Sequence, residues 1–112
     1  MIRIETLSEF EKQAGAAAGL LKRLANEHRL RVLCHLADTG EASVTALAEA
    51  VGLSSSALSQ HLAKLREDGL VSFRRESQTL YYRLGDARAG RVLNLLKDMF
   101  CPPSPRKPET IQ

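Results

Sequence analysis

The stretch LSSSALSQHLAKLREDGLV, Leu53 to Val71, decides the fold. Leu58, Leu62 and Leu65 recur three to four residues apart and so line one face of a helix, which Ala57 extends. Ser55, Ser56, Ser59, Gln60, Lys64 and Glu67 occupy the opposite face. Ser54 has the chemistry of an N-cap, because its hydroxyl can accept from a free backbone N–H of the first turn. Gly69 is a suitable stop. A helix that opens on small hydroxyl residues followed by glutamine can bring its N-terminal end close to DNA. Its first N–H groups favour phosphate, and Ser and Gln can bond to base edges. Taken alone, the same pattern also fits an ordinary amphipathic surface helix.

The flanking segments favour the first of these readings. Ser43 can cap a short helix carrying Val44, Leu47, Ala48 and Val51, ended by Gly52. Gly52-Leu53-Ser54 is then the tight connection of a helix-turn-helix. Upstream, Asn26 begins a helix to about Asp38 with Leu30, Leu33, Cys34 and Ala37 on one face, Leu36 beside it, and a turn at Thr39-Gly40-Glu41. Residues Thr6 to Leu24 form a longer helix, with a stripe of Leu7, Phe10, Ala14, Ala17, Leu21 and Leu24. Its small residues from Gly15 to Gly19 allow close approach of another helix. Downstream, Leu70–Arg75 and Thr79–Leu84 alternate with a period of two around a Glu76-Ser77-Gln78 turn, which predicts a β-hairpin. Leu80, Tyr82 and Leu84 face inward in that hairpin. Asp86 to Phe100 is a last helix with Val92, Leu95, Leu96, Met99 and Phe100 on its apolar face. Cys101-Pro102-Pro103 stops it.

The fold expected is therefore mainly α with a β-hairpin wing: four helices, two strands and a fifth helix, in a winged helix-turn-helix. Residues 1–101 form one DNA-binding and dimerisation domain, and the Pro-rich segment 102–112 is expected to be a disordered tail. A chain of 112 residues suits one domain with a limited core, for which dimerisation is a common support. The first and last helices are the expected contact with a second subunit. The net charge of +3 is compatible with nucleic acid. There is no apolar run long enough for a membrane span. Glu5, Glu9 and Glu11 break any signal-peptide pattern, so a cytoplasmic location is expected. No nucleophile–base pair, phosphate loop or paired acids suggest an enzyme. Ser54, Ser55, Ser56, Ser59 and Gln60 are the candidate contacts of the helix with double-stranded DNA; Lys64, Arg74, Arg75 and Thr79 are candidates for phosphate.

The segments Leu24–Leu36 (LANEHRLRVLCHL), Ser54–Val71 and Arg74–Leu84 (RRESQTLYYRL) resemble the ArsR/SmtB family of bacterial repressors, over residues 7 to 101 or so. The resemblance implies a homodimer that binds an inverted repeat in operator DNA. Many members sense metals, but Glu41–Thr45 lacks a Cys-x-Cys pattern and the last helix has no histidine, so no metal site and no cofactor are assigned. A metal- or metalloid-responsive repressor with an unrecognised site, including a Cys34–His35 pair, stays open as an alternative. So does a winged-helix protein-interaction module. His28, His35 and His61 are read as packing or surface residues.

Cys34 in RVLCHL and Cys101 in MFCPP match the thiol-based, sulfide-responsive subgroup (BigR/SqrR/YgaV-like). That resemblance implies a redox sensor. Reactive sulfur species oxidise the two cysteines to an intrasubunit di- or polysulfide, and DNA is released. On the residues alone, Cys34 could equally be a small buried hydrophobe. Cys101, at a frayed helix end, is the expected first target and Cys34 the resolving thiol, with Lys97 and Arg31 as candidate compensating charges.

Overall fold

The computed structural model of the chain describes residues 4–101, with side chains from residue 7 onward, so the segment expected as a disordered tail lies outside the described residues. The elements are α1 (Ile4–Leu24), α2 (Glu27–Thr39), β1 (Ala42–Ser43), α3 (Val44–Val51), α4 (Ser55–Glu67), β2 (Val71–Glu76), β3 (Thr79–Leu84) and α5 (Ala87–Phe100). This is the winged helix-turn-helix expected, with one strand more. β1 adds to the hairpin through Ala42–Tyr82 and Ser43–Tyr81 pairs, giving an antiparallel sheet in the order β1-β3-β2. A two-residue strand has no period to read. Only the partner strand defines it.

The caps follow the local chemistry of the sequence. The Asn26, Ser43 and Ser54 side chains accept from the backbone N–H groups of Arg29, Ala46 and Ala57 at 3.1, 3.2 and 3.1 Å. Asp86 likewise receives Arg88 and Ala89 at the start of α5. At the end of α4, Gly69 takes a φ of 76°. Its N–H reaches Arg66 O, and the N–H of fully buried Leu70 reaches Leu65 O at 2.9 Å. These paired bonds satisfy the last carbonyls and turn the chain sharply into β2. Gly85 N–H then bonds to Leu70 O at 2.8 Å, and a Cβ on Gly85 would meet Val71 C at 3.2 Å. The hairpin turn is shorter than expected. Glu76 pairs with Thr79, leaving Ser77 and Gln78 as a two-residue loop with Ser77 at a φ of 59°.

The core joins Val32, Leu33 and Leu36 of α2 to Leu47 of α3, Leu58, Leu62 and Leu65 of α4, Leu70, and Ala89 and Leu93 of α5. In α1 and α5 the residues turned to the core include Leu20, Ala89 and Leu93, which lie outside the stripes named from the sequence and expected to meet a second subunit. In α1 the core residues are Leu20 and Leu24, while Leu7, Phe10 and Leu21 of the expected stripe are exposed. In α5, Ala89 and Leu93 are buried against the body, whereas Leu95, Met99 and Phe100 are 57%, 60% and 77% exposed. The bulkiest apolar residues of both helices thus point away from the protomer's own core. Ala89 is fully buried where α5 meets the body.

Leu33 is fully buried at the centre of this core. Leu33→Ala is expected to destabilise the fold by about 2–5 kcal/mol, through lost transfer energy and the cavity left behind. Denaturant titration checks this as a lower midpoint at unchanged slope.

Candidate functional site

The polar face of α4 is open. Ser54, Ser55, Ser56, Ser59, Gln60 and Lys64 are all exposed, above a face sealed by Leu58, Leu62 and Leu65. The Ser54 hydroxyl is already engaged as the cap of α4. His61 lies between α4 and α2, its ring 5.4 Å from that of His28, so it has a packing partner across the two helices. Arg29 joins the same two helices: its guanidinium lies 3.2 Å from Asp68 and donates to Arg23 O.

In the wing the two neighbouring arginines have separate surroundings. Arg74 donates to both oxygens of Glu41 at 2.8 and 3.0 Å and to Glu76 at 2.8 Å, and its guanidinium lies over the Tyr81 ring. The hydrogen bonds from Arg74 hold the Glu41 carboxyl below the usual carboxylate range. A bidentate pair of this kind fixes orientation as well as charge. It fastens β2 to the segment entering β1. Arg75 and Thr79, by contrast, are exposed, and among the described residues Arg75 makes no ion pair. The sequence places Glu41 in a turn. Its partner is 33 positions away, and no short-range pattern announces it. At the base of the wing, Arg66 of α4 lies 4.9 Å from the centre of the Phe73 ring.

Packing of α2 on α5 brings Cys34 and Cys101 to one cleft of about 480 Å³, shared with Arg31, His35, Asp38, Ala50, Val51 and Lys97. Both cysteines are free thiols; Cys34 is half-buried and Cys101 exposed. Cys101 caps α5, its N–H donating to Lys97 O at 2.8 Å. Burial pushes the Cys34 thiol up, the Lys97 ammonium pulls it down, and Cys101 raises it again. Lys97 is itself held protonated above its ordinary value, chiefly by its bond to Asp38 at 3.1 Å. Asp38, expected only as the end of α2, sets the position of the ammonium. Arg31 turns its guanidinium to Val51 O at 2.8 Å and so lines the cleft while tying α2 to the end of α3. Among the described residues, no three His, Cys, Asp or Glu side chains are grouped to hold a metal ion. No helix of the described residues is long and apolar enough to cross a membrane.

Residues 26–72 match the bacterial regulatory protein, arsR family, model. The chain is 48% identical over 95 residues to the transcriptional activator HlyU of Vibrio cholerae, covering 85% of this chain and 87% of HlyU. It belongs to the arsR family of bacterial regulatory proteins. The crystal structure of the transcriptional repressor BigR from Xylella fastidiosa is similar, with a TM-score of 0.79 at 40% identity, covering 88% of this chain and 99% of that one. So is a structure described as reduced HlyU from Vibrio cholerae, with a TM-score of 0.75 at 48% identity over 83% of this chain and 97% of that one. This ArsR-family chain is thus a DNA-binding transcriptional regulator with a winged-helix fold, and not an enzyme.

The partial burial of Cys34 has a measurable consequence, because the thiolate is the reactive form. In a Cys101→Ser variant, the rate of Cys34 alkylation by iodoacetamide is expected to rise with pH along a curve whose midpoint lies above the ordinary thiol range. Lys97→Met removes the charge that lowers it and moves that midpoint further up. Stopped-time mass spectrometry across pH reads both curves.

Proposed function

We propose that the chain is a homodimeric repressor that binds operator DNA and is released when Cys34 and Cys101 are joined within one subunit by reactive sulfur species. The observation that carries this reading is the common cleft of the two thiols, with the Lys97 ammonium beside them. Exposed Cys101 takes the first sulfur. Its thiolate attacks the outer sulfur of a persulfide R–S–SH, the S–S bond breaks, RS⁻ leaves, and Cys101 becomes a persulfide. The Cys34 thiolate then attacks Cys101 Sγ, hydrosulfide leaves, and a disulfide closes. A second sulfur transfer before closure gives Cys101–S–S–SH. Attack on its middle sulfur, again with loss of hydrosulfide, yields a trisulfide, which spans a wider gap. Lys97 and Arg31 offset the charge of the leaving anion. That a similar HlyU is described in a reduced form agrees with a thiol-dependent state.

The exposed apolar faces of α1 and α5, carrying Leu7, Phe10 and Leu21 and Leu95 and Met99, are the surfaces for the second subunit. A two-fold dimer would set its two α4 helices about 34–36 Å apart, one turn of DNA. A bond between α2 and α5 acts on the helix that also serves the subunit contact, so it alters that spacing. A coupling of about 1–3 kcal/mol changes DNA affinity about 5- to 150-fold.

DNA affinity for its own promoter is expected to fall at least fivefold after treatment with a sulfane sulfur donor, while the Cys34→Ser, Cys101→Ser double variant keeps its affinity. Gel shift with mass spectrometry of the Cys101 peptide reads the result; release of DNA by the double variant would remove the thiol trigger from this function. For DNA itself, Gln60→Ala is expected to relax base preference at one position by about 1–3 kcal/mol. Arg75→Ala weakens binding to all sequences alike and lowers the salt slope by about 1. Binding-site selection and salt titration separate these two effects, and an unchanged preference in the Gln60 variant rejects its placement at a base.

A further inference from the structure

Cys34 and Cys101 border two clefts that differ in their polar groups. The first is the more polar one, with Arg31, His35, Asp38 and Lys97. The second, of about 300 Å³, is bounded by Leu30, Leu96, Phe100, Lys97 and the two cysteines, and its walls are wholly apolar. Lys97 contributes its methylene stem there, since its ammonium is turned to Asp38 at 3.1 Å. Both cysteines of the proposed switch therefore line an apolar recess. Transfer of inorganic sulfur has no use for such a recess.

We propose that this second cleft is a subsite for the organic group of the sulfur donor, so that the protein selects organic polysulfides with a small apolar body. The inference rests on the thiol-switch reading and names its substrate class. The space equals on the order of ten water volumes, enough for a short hydrocarbon chain attached to sulfur. An apolar group entering it leaves water and meets no unpaired polar atom, whereas a hydroxyl or charge must give up its hydration.

With a trisulfide R–S–S–S–R the chemistry balances without a further oxidant. The Cys101 thiolate attacks an outer sulfur, the adjoining S–S bond breaks, and the perthiolate RSS⁻ leaves. Cys101 then carries –S–R, with R seated among Leu30, Leu96 and Phe100. The Cys34 thiolate attacks Cys101 Sγ, RS⁻ leaves, and the cysteines are joined. Two thiol protons pass to solvent. The two electrons lost by the thiols appear in RS⁻ and RSS⁻. The polar cleft, with Lys97 and Arg31, is where these anions depart.

The test compares two donors of nearly equal size, dipropyl trisulfide and bis(2-hydroxyethyl) trisulfide, on the reduced full-length chain. The rate of loss of the reduced chain, as Cys101 adduct and Cys34–Cys101 bond together, is measured by mass spectrometry, and each rate is divided by that of N-acetylcysteine with the same donor. A preference of about tenfold for the propyl donor is expected, since an apolar pocket discriminates a methyl from a hydroxyl by up to about a hundredfold and this one is partly open. Phe100→Ser, at a position 77% exposed and outside the core, is expected to bring the ratio close to one, and Phe100→Leu to restore it. Equal normalised rates in the unmodified chain, or a preference untouched by Phe100→Ser, overturn the subsite and leave the thiol switch standing. Absence of any cysteine modification with both donors, adduct or Cys34–Cys101 bond, overturns the switch and the subsite together.

Discussion

The burial of α2 is the constraint on which the remaining structure depends. Val32, Leu33 and Leu36 are all but excluded from solvent, and they face the helix-turn-helix, the sheet and α5 at once. The same helix carries a polar tie toward each neighbour. Arg31 reaches the last carbonyl of α3, Arg29 meets Asp68 beyond α4, and Asp38 holds Lys97 of α5. Ties that lie this near the surface add little stability; the Lys97–Asp38 pair is exposed and the Arg29–Asp68 pair only partly buried. Their value is positional, because they fix the rotation of a helix already held by its apolar face. Cys34 is one residue from Leu33, so that rotation also sets where the thiol points.

The wing illustrates the same division of labour. Hydrophobic side chains place its base, and a charged clamp places its arm. Tyr82 is buried at the sheet centre with Phe73 against it at 5.4 Å, while Arg74, gripped by Glu41 and Glu76, locks the outer strand to the short β1 edge. Engaging Arg74 in this way leaves Arg75 as the arginine of the pair without an acidic partner among the described residues. Neighbouring residues of identical type thus have distinct physical situations.

What the sequence disclosed is what local chemistry controls. The caps at Asn26, Ser43 and Ser54, the stop at Gly69 and the leucine spacing of α4 are each decided within a few residues, and all are present in the structure. The faces of α1 and α5 were harder. Leu20 and Leu21 are adjacent, and Leu93 competes with Leu95 and Leu96; only the packing of the whole protomer selects which of them turns inward. Strand β1 and the Glu41–Arg74 pair depend on contacts distant in sequence and leave no periodic trace. The meeting of Cys34 and Cys101 belongs to that class as well. Their spacing carries no such information, and family resemblance alone pointed to it.

The joint between α4 and β2 has one more implication. With the carbonyls at the end of α4 satisfied by Gly69 and Leu70, Leu70 sealed from water, and Gly85 pressed against the strand backbone, there is no slack where helix becomes wing. Helix and hairpin are thereby joined as one body, which in the proposed function is the head that reads DNA. In the proposed repressor, control then works by shifting whole heads along the duplex and not by re-aiming one element against the other, so a slight change far from the DNA displaces the proposed contacts in unison.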